Sequence, residues 1–239
     1  MSDKIKISTF IFIGTLMTAI SPTGFADDQQ RFGIGGRIQL STWEGDNNGN
    51  SPDFNSNATM GAVVVRYQRG RFYTGASIQG GEFSFNDGAP DQHKSDKSTT
   101  SDSSVTITHG ELDLIAGYYF WQRVSLFVDV KGVSNEWKNK DYSADYTGIG
   151  LGITTFAPLP NNWTFYASFG VVPLKIESKQ SGIGSGDGSS LELGVAYAVD
   201  GHHSVTAGIK AQTQEYDFDN GKKQTHHLGG LVVGYNYTF

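Results

Sequence analysis

The feature that most constrains the fold is a period of two in hydrophobicity. In the closing segment "LGGLVVGYNYTF", one parity holds Leu231, Val233, Tyr235, Tyr237 and Phe239. This spacing places the five side chains on one face of a β-strand. The apolar face runs to the last residue, so either a second protein layer or lipid must cover it. Similar alternation recurs upstream, and the chain as a whole predicts about ten strands.

The predicted strands are separated by connections of two kinds. Tight connections follow the even strands, as in "RG" at 69–70, whereas longer polar connections follow most odd strands, above all 45–57 and 86–104. Short turns at one end and long loops at the other, with an even strand number, are typical of membrane barrels. The sequence therefore predicts an all-β fold, a transmembrane antiparallel up-and-down β-barrel of about ten strands, with eight or twelve as alternatives. The predicted strands are 31–43, 58–68, 71–85, 105–120, 124–135, 144–156, 163–177, 189–199, 204–216 and 225–239.

The first residues have the features of a bacterial export signal. Lys4 and Lys6 precede a short apolar stretch at 10–20, and the small residues Gly24 and Ala26 follow it. The apolar stretch is shorter than the roughly 20 residues that a spanning helix needs. We expect residues 1–26 to be a signal peptide cleaved after Ala26, and residues 27–239 to form the barrel domain.

Composition excludes several classes of function. The chain has no cysteine, which rules out disulfides and thiol chemistry. Its net charge of −6, without a basic tract, gives no indication of nucleic-acid binding. We expect no cofactor and no metal. The oxygen-rich stretch 46–53 lacks the glycine and the closing glutamate of a calcium loop, because Ser51 and Asn57 stand there.

Charged residues within the strands share the parity that the alternation assigns to the interior. Lipid on the outside requires apolar outward side chains, so charges are expected in the lumen. Equal numbers of each sign allow complete pairing, and buried charges must be paired. The sequence therefore predicts a salt-bridged plug, with a narrow passive channel for small solutes as the alternative. The predicted lumen charges are Arg37, Arg66, Lys131 and Lys210 with Glu111, Asp113, Asp129 and Glu192.

The four tryptophans lie near predicted strand ends. Trp43 and Trp137 come at the outer ends of strands one and five, and Trp121 and Trp163 come at the inner turns. Tryptophan favours the boundary between membrane and water. The positions predict an interface girdle with two tryptophans on each side.

The end of the chain resembles the carboxy-terminal assembly signal of Gram-negative outer-membrane proteins. The resemblance rests on Tyr235, Tyr237 and the terminal Phe239 in "GYNYTF", together with the signal peptide and the strand pattern. It extends to the class and to no particular family. It implies recognition by the barrel-assembly machinery and residence in the outer membrane among lipids and lipopolysaccharide, and it leaves the function open. We expect a monomer whose surface loops have structural, recognition or adhesion roles. The polar segment 86–104 is the favoured recognition surface.

One cluster raises the possibility of catalysis. His109, Glu111 and Asp113 share an inward face, and His226 or His227 enters at the same level. A histidine beside carboxylates is the minimum for activating water or a serine. Omptin-type proteases use paired acids with a histidine and an aspartate at the outer rim, and lipid A hydrolases use a serine and a histidine on the lipid face. Neither pattern is reproduced, so an outer-membrane hydrolase is the third possibility.

Two local predictions concern the second half of the chain. In strand seven, alternation puts Lys175 and Glu177 on the lipid-facing parity after Pro173. Proline cannot donate to the ladder, so a β-bulge there is predicted to turn both charges inward. The glycine-rich segment 182–188 is predicted to be a flexible loop tip.

Overall fold

A computed structural model describes residues 30–47, 54–86, 88–90, 104–138, 142–179 and 182–239. The predicted signal peptide at 1–26 and the cleavage after Ala26 lie outside these residues. In the described part of the chain, no helix is long and apolar enough to span a membrane. Ten antiparallel strands form one closed barrel in which each strand pairs with its neighbours in sequence and β1 pairs with β10. The predicted fold class and strand number are confirmed.

The strands extend the predicted spans by a few residues at most ends. Their bounds are β1 Gln30–Asn47, β2 Phe54–Arg69, β3 Phe72–Phe85, β4 Val105–Trp121, β5 Val124–Trp137, β6 Ser143–Pro158, β7 Trp163–Ser178, β8 Gly182–Ala198, β9 His203–Phe218 and β10 Lys223–Thr238. The connections after β2, β4, β6 and β8 define the short-turn end. The opposite end, where the connections after β1, β3, β5, β7 and β9 leave the barrel, is the long-loop end.

The largest difference in strand bounds is at β8, which begins at Gly182 rather than at 189. Segment 182–188 is strand and not a loop tip, so that prediction is wrong. Its glycines permit close approach of β9, since a Cβ on Gly184 or Gly186 would lie 2.6 Å from Asp217 O or 2.4 Å from Glu215 O. Pairing with β7 and β9 on both sides thus overrides the low strand propensity of the segment.

The outward wall carries an apolar band that starts at the short-turn end. On each strand the outward residues change to polar ones before the long-loop end, as from Pro173 to Lys175 on β7 and from Ala211 to Thr213 on β9. A 16-residue strand such as β7, tilted by about 40°, rises roughly 40 Å. A membrane-facing band is about 25 Å tall. The long-loop end therefore projects beyond the band.

This projection explains why the predicted bulge at Pro173 is wrong. Alternation along β7 is unbroken, with Lys175 and Glu177 exposed outward and Leu174 and Ile176 buried inward at 2% and 0% exposure. The pairing with β8 is continuous through Pro173. The last residues of β7 lie beyond the apolar band. Lys175 and Glu177 therefore face water, and no change of register is needed.

Two of the four tryptophans predicted for the girdle face outward and two do not. Trp121 and Trp163 point outward at the short-turn end, with 71% and 41% exposure, whereas Trp43 and Trp137 are buried inside the barrel, with 2% and 4%. The placement of Trp43 and Trp137 at an outer interface is therefore wrong. Both share the parity of the inward polar residues on their strands, and at the long-loop end the barrel interior is apolar. At the short-turn end, Phe32, Phe72, Tyr118 and Phe120 are further outward aromatic residues.

Candidate functional site

The lumen is the candidate site, and its inward side chains form three layers along the barrel axis. The layer nearest the long loops, here the loop-end layer, is an apolar core. Trp43 lies at its centre and makes edge contacts with Phe83 and Phe85 at centroid distances of 5.1 and 5.5 Å. Other members are Phe54, Ile107, Val133, Trp137, Tyr146, Leu174, Ile176, Tyr216, Phe218 and Leu228. Ala89, from the start of the long loop after β3, is fully buried in the same core.

The layer nearest the short turns, here the turn-end layer, is built from tyrosine and phenylalanine. Tyr119, Phe156 and Tyr166 are buried together, and Tyr73 packs against them. The rings of Tyr73 and Tyr119 lie 5.2 Å apart. Tyr166 donates a hydrogen bond of 3.0 Å to Glu192 Oε1 and so connects this layer to the charges above it.

The charged layer lies between the two aromatic layers, and Lys131 is its main cation. Lys131 Nζ donates to Asp113 Oδ1 at 2.7 Å and to Glu111 Oε2 at 3.1 Å. Gln79 donates to the same Glu111 oxygen at 2.6 Å, and Lys210 Nζ lies 3.7 Å from it. The ammonium group of Lys131 and the carboxylates of Glu111 and Asp113 are almost fully buried. Removal of one partner would leave an uncompensated buried charge, which is strongly destabilising.

Two arginines complete the predicted set of lumen cations. Arg37 Nη1 lies 3.5 Å from Glu192 Oε2, across the lumen from β1 to β8. Arg66 donates to Thr238 Oγ1 at 2.8 Å, near the seam between β1 and β10. Both side chains lie on the inner wall, as their parity in the sequence indicates.

Asp129 does not take part in the predicted complete pairing. Its side chain is fully buried, and neither carboxylate oxygen has a hydrogen-bond partner among the described residues. Its cross-strand neighbours Ile115 and Gly150 offer no side-chain donor. Lys131, two positions along the strand, donates to Asp113 and Glu111 instead. The prediction that all eight charges pair is therefore wrong at this residue.

The structure brings the catalytic candidates together in the interior of the barrel. The ring nitrogens of His109 lie 2.7 Å from Asn135 Oδ1 and 3.1 Å from Glu111 Oε1. His226 points inward and is 2% exposed, while His227 faces outward and contacts Thr213. His109 and Glu111 are 3% and 2% exposed and lie beneath the loop-end layer. Among the described residues, the cluster is therefore buried inside the barrel.

One small cavity lies within the charged layer. A cavity lined by Gln39, Ser77, Gln79, Asp113 and Lys210 has a volume of about 10 Å³. This is close to the space that one water molecule occupies. The described residues contain no group of three or more histidine, aspartate or glutamate side chains arranged to hold a metal ion.

Sequence reasoning missed the uncharged partners of the charged layer. Gln79, Asn135 and Tyr166 each bond a residue of the network. All three have the inward parity of their strands, so parity extended to uncharged polar residues would have identified them.

Comparison with known proteins supports the fold. The structure is similar to the outer membrane protease OmpT from Escherichia coli, with 10% sequence identity, a TM-score of 0.59, and coverage of 95% of this chain and 100% of that one. The toluene transporter TodX of Pseudomonas putida has 12% identity, a TM-score of 0.35, and coverage of 90% and 91%. OmpT of Vibrio cholerae has 11% identity, a TM-score of 0.30, and coverage of 87% and 98%. No protein-family model and no curated protein matches the chain. The chain has the fold of a Gram-negative outer-membrane β-barrel, and at these identities the likeness shows the fold alone.

Proposed function

We propose that the protein is a monomeric outer-membrane barrel that does not conduct solutes and that holds its long loops at the cell surface for structural or recognition roles, including adhesion. The observation that carries this proposal is the filling of the lumen by three successive layers. The chain is exported, its short turns face the periplasm, and its closing residues are read by the barrel-assembly machinery.

The layers argue against the channel alternative. A ten-stranded barrel is roughly 20 Å across between backbones, and inward side chains from both walls fill most of that width. Aromatic residues close both ends, and most of the charges between them form ion pairs instead of lining a water column, with Lys131 and Lys210 at Glu111 and Arg37 at Glu192. A solute entering from either end would have to displace a packed layer.

The same layers argue against a hydrolase active in the lumen. A general base must reach the proton that it abstracts. His109 is bonded on both ring nitrogens and covered by Trp43, with 5.3 Å between the ring centroids. A substrate approaching from the long-loop end meets the apolar core first.

Recognition is assigned to the long-loop end because the barrel raises it above the lipid. The loop after β3 is the longest connection, and most of segment 86–104 lies outside the described residues. Its beginning is fixed, since Ala89 is buried and accepts a hydrogen bond of 3.4 Å from Asn47. The start of the loop is thus anchored on the loop-end layer, and we assign recognition to this connection because long loops commonly carry function.

Single-channel recording in planar lipid bilayers tests the proposal. The refolded barrel is expected to insert without conductance steps, with an open porin in the same bilayers as the positive control. Stepwise conductance whose cation preference changes in Lys131→Met would overturn it, because the charged layer would then line a pore.

A further inference from the structure

The wall between β2 and β3 is paired over only part of its length. The ladder of these two strands runs from the short turn at 69–72 up to the pair of Gly61 with Gly80 and ends there. Towards the long-loop end, residues 54–60 of β2 and 81–85 of β3 have no pairs with each other. Each segment is paired on its other side, with β1 and with β4. Among the described residues, two facing strand edges therefore lack a partner, and we call this place the β2–β3 gap.

The β2–β3 gap lies beyond the apolar band. On β2, Val63 is the last apolar outward residue before Thr59 and Asn57. On β3, Ile78 is the last apolar outward residue before Glu82. An unpaired strand edge is not tolerated in lipid, because nothing there satisfies its N–H and C=O groups. Water can solvate these groups above the band, so the barrel permits free edges at this level.

One side-chain hydrogen bond spans the gap. Ser56 Oγ on β2 donates to Ser84 O on β3 at 2.7 Å. At the lower end of the gap the strands still touch, since a Cβ on Gly81 would lie 2.9 Å from Thr59 O. Above that point a single hydroxyl takes the place of a ladder, and it leaves the other backbone groups of the two edges without a strand partner.

The interior beneath the gap is apolar. Trp43 lies there and makes edge contacts with Phe83 and Phe85 of β3 and with Phe54 of β2. The outward side chains that flank the gap are polar and exposed. A segment that enters the gap therefore meets aromatic rings on one side and water on the other.

Free strand edges recognise a particular kind of partner. An extended polypeptide can pair its own backbone with the N–H and C=O groups of an exposed edge, while its alternate side chains provide specificity. A strand that pairs with both edges needs the gap to widen by about one strand spacing, or about 4.8 Å. The hydrogen bond from Ser56 to Ser84 has to break for this widening.

We propose that the β2–β3 gap is a strand-addition site for an extended polypeptide segment of a partner protein. The segment displaces the Ser56 hydroxyl from Ser84 O, enters the gap and pairs with β2 and β3. Its side chains alternate, with apolar ones towards the loop-end layer and polar ones towards water. This inference rests on the proposed recognition role, and it names the partner as polypeptide and the recognised group as its backbone.

A random seven-residue peptide library, displayed on phage and selected on the barrel in nanodiscs, tests the backbone contact. The selected peptides are expected to alternate between apolar and polar residues. N-methylation of every second backbone amide should weaken their binding roughly tenfold, because it removes hydrogen bonds of about 1 kcal/mol each and leaves the side chains unchanged.

A disulfide across the gap tests the place of binding. Asn57→Cys with Ser84→Cys joins two outward positions that would face each other if the ladder continued in the same register. The oxidised variant should lose peptide binding, and reduction should restore it. The matched control is Thr108→Cys with Glu136→Cys, which joins directly opposite outward residues of β4 and β5 and should bind peptides in both states.

Two results overturn the proposal. One is a selection that yields no peptide whose binding is lost in the oxidised Asn57→Cys, Ser84→Cys variant. The other is equal affinity of the N-methylated and unmodified peptides, because side chains alone would then explain the binding. A barrel that binds no peptide and does not conduct would keep the proposed function and lose this inference only.

Removal of the bridging hydroxyl tests the opening of the gap. Ser56→Ala should bind the selected peptides several-fold more tightly, because no hydrogen bond has to break before the strand enters. Thr154→Ala is the control, since it removes another hydroxyl that donates to a carbonyl of the neighbouring strand, at 3.1 Å from Ala167 O, on a different part of the wall. An affinity that does not rise in Ser56→Ala, or that rises equally in Thr154→Ala, would contradict the opening.

Discussion

The indole ring of Trp43 packs edge-on against the imidazole of His109, with 5.3 Å between the ring centroids and 61° between the planes. This contact joins the apolar loop-end layer to the charged layer beneath it. Trp43 is therefore a core residue in the part of the barrel that projects beyond the apolar band.

Replacement of Trp43 tests this role. We expect Trp43→Ala to lower the free energy of unfolding by about 3 to 5 kcal/mol, because it opens a cavity among packed rings. Trp121→Ala, at the exposed short-turn end, should cost less than half as much. Urea unfolding in detergent micelles measures both, and equal losses would contradict the core assignment of Trp43.

The charged layer predicts opposite results for two neighbours on β5. Lys131→Met leaves Asp113 buried without its cation and Glu111 with Lys210 alone, and should lower the free energy of unfolding by about 3 to 5 kcal/mol. Asp129→Asn removes a charge that has no donor, so it should leave stability unchanged or increase it. Unfolding curves of the two variants decide this, and a large loss in Asp129→Asn would show that its carboxylate has a partner in solution.

Unbroken alternation at the end of β7 is tested by single cysteines, since the chain has none of its own. Lys175→Cys and Glu177→Cys should react with a water-soluble maleimide in the folded barrel, because both side chains point into water. Leu174→Cys and Ile176→Cys should be protected in the core. Reaction at positions 174 and 176 with protection at 175 and 177 would instead support a β-bulge at Pro173.

Asp200 in the turn after β8 predicts a pH effect at the short-turn end. Its Oδ1 accepts hydrogen bonds from the backbone N–H groups of His202 and His203 at 2.7 and 2.8 Å, which lower the pKa of the carboxyl below its ordinary value of 3.8. A lowered pKa stabilises the folded state above the unfolded pKa, and this contribution is lost as pH falls through the folded pKa. Carbon-detected NMR titration should find the low value, and Asp200→Ala should weaken the acid dependence of stability in this range. A titration at 3.8 or above would contradict the assignment.

The last residue predicts a difference between folding and assembly. Phe239 donates its backbone N–H to Phe32 O at 2.8 Å, and its ring packs against Tyr237 and Phe32. One ring contributes about 1.5 to 3 kcal/mol by burial, so a chain without Phe239 should still refold in micelles. If Tyr235, Tyr237 and Phe239 form the assembly signal, that chain should accumulate in the periplasm. Equal outer-membrane levels of the full and shortened chains would exclude the signalling role.

The period of two was sufficient to predict the number and order of the strands, because alternation is a local property of the sequence. Strict alternation also predicts the direction of two side chains that the sequence analysis places differently. Trp43 has the parity of Gln39 and Ser41, and Lys175 has the parity of Phe169, so strict alternation places the first inside and the second outside. The preference of tryptophan for the membrane boundary suggests otherwise for Trp43, and lipid along the whole wall would require otherwise for Lys175.

Other features depend on contacts that no local pattern contains. The start of β8 is glycine-rich and forms a strand only because β7 and β9 pair with it. The orphan Asp129 follows from the direction in which Lys131 points.

Barrel closure has a consequence for the order of events in folding. Gly33 pairs with Thr238, so the seam joins residues from the two ends of the described chain. Synthesis delivers β1 first and β10 last, and pairing of such distant segments is intrinsically slow. Until β10 arrives, β1 has an unpaired edge, which is a template for aggregation. The free edge of β1 therefore has to be kept from other strands until β10 pairs with it.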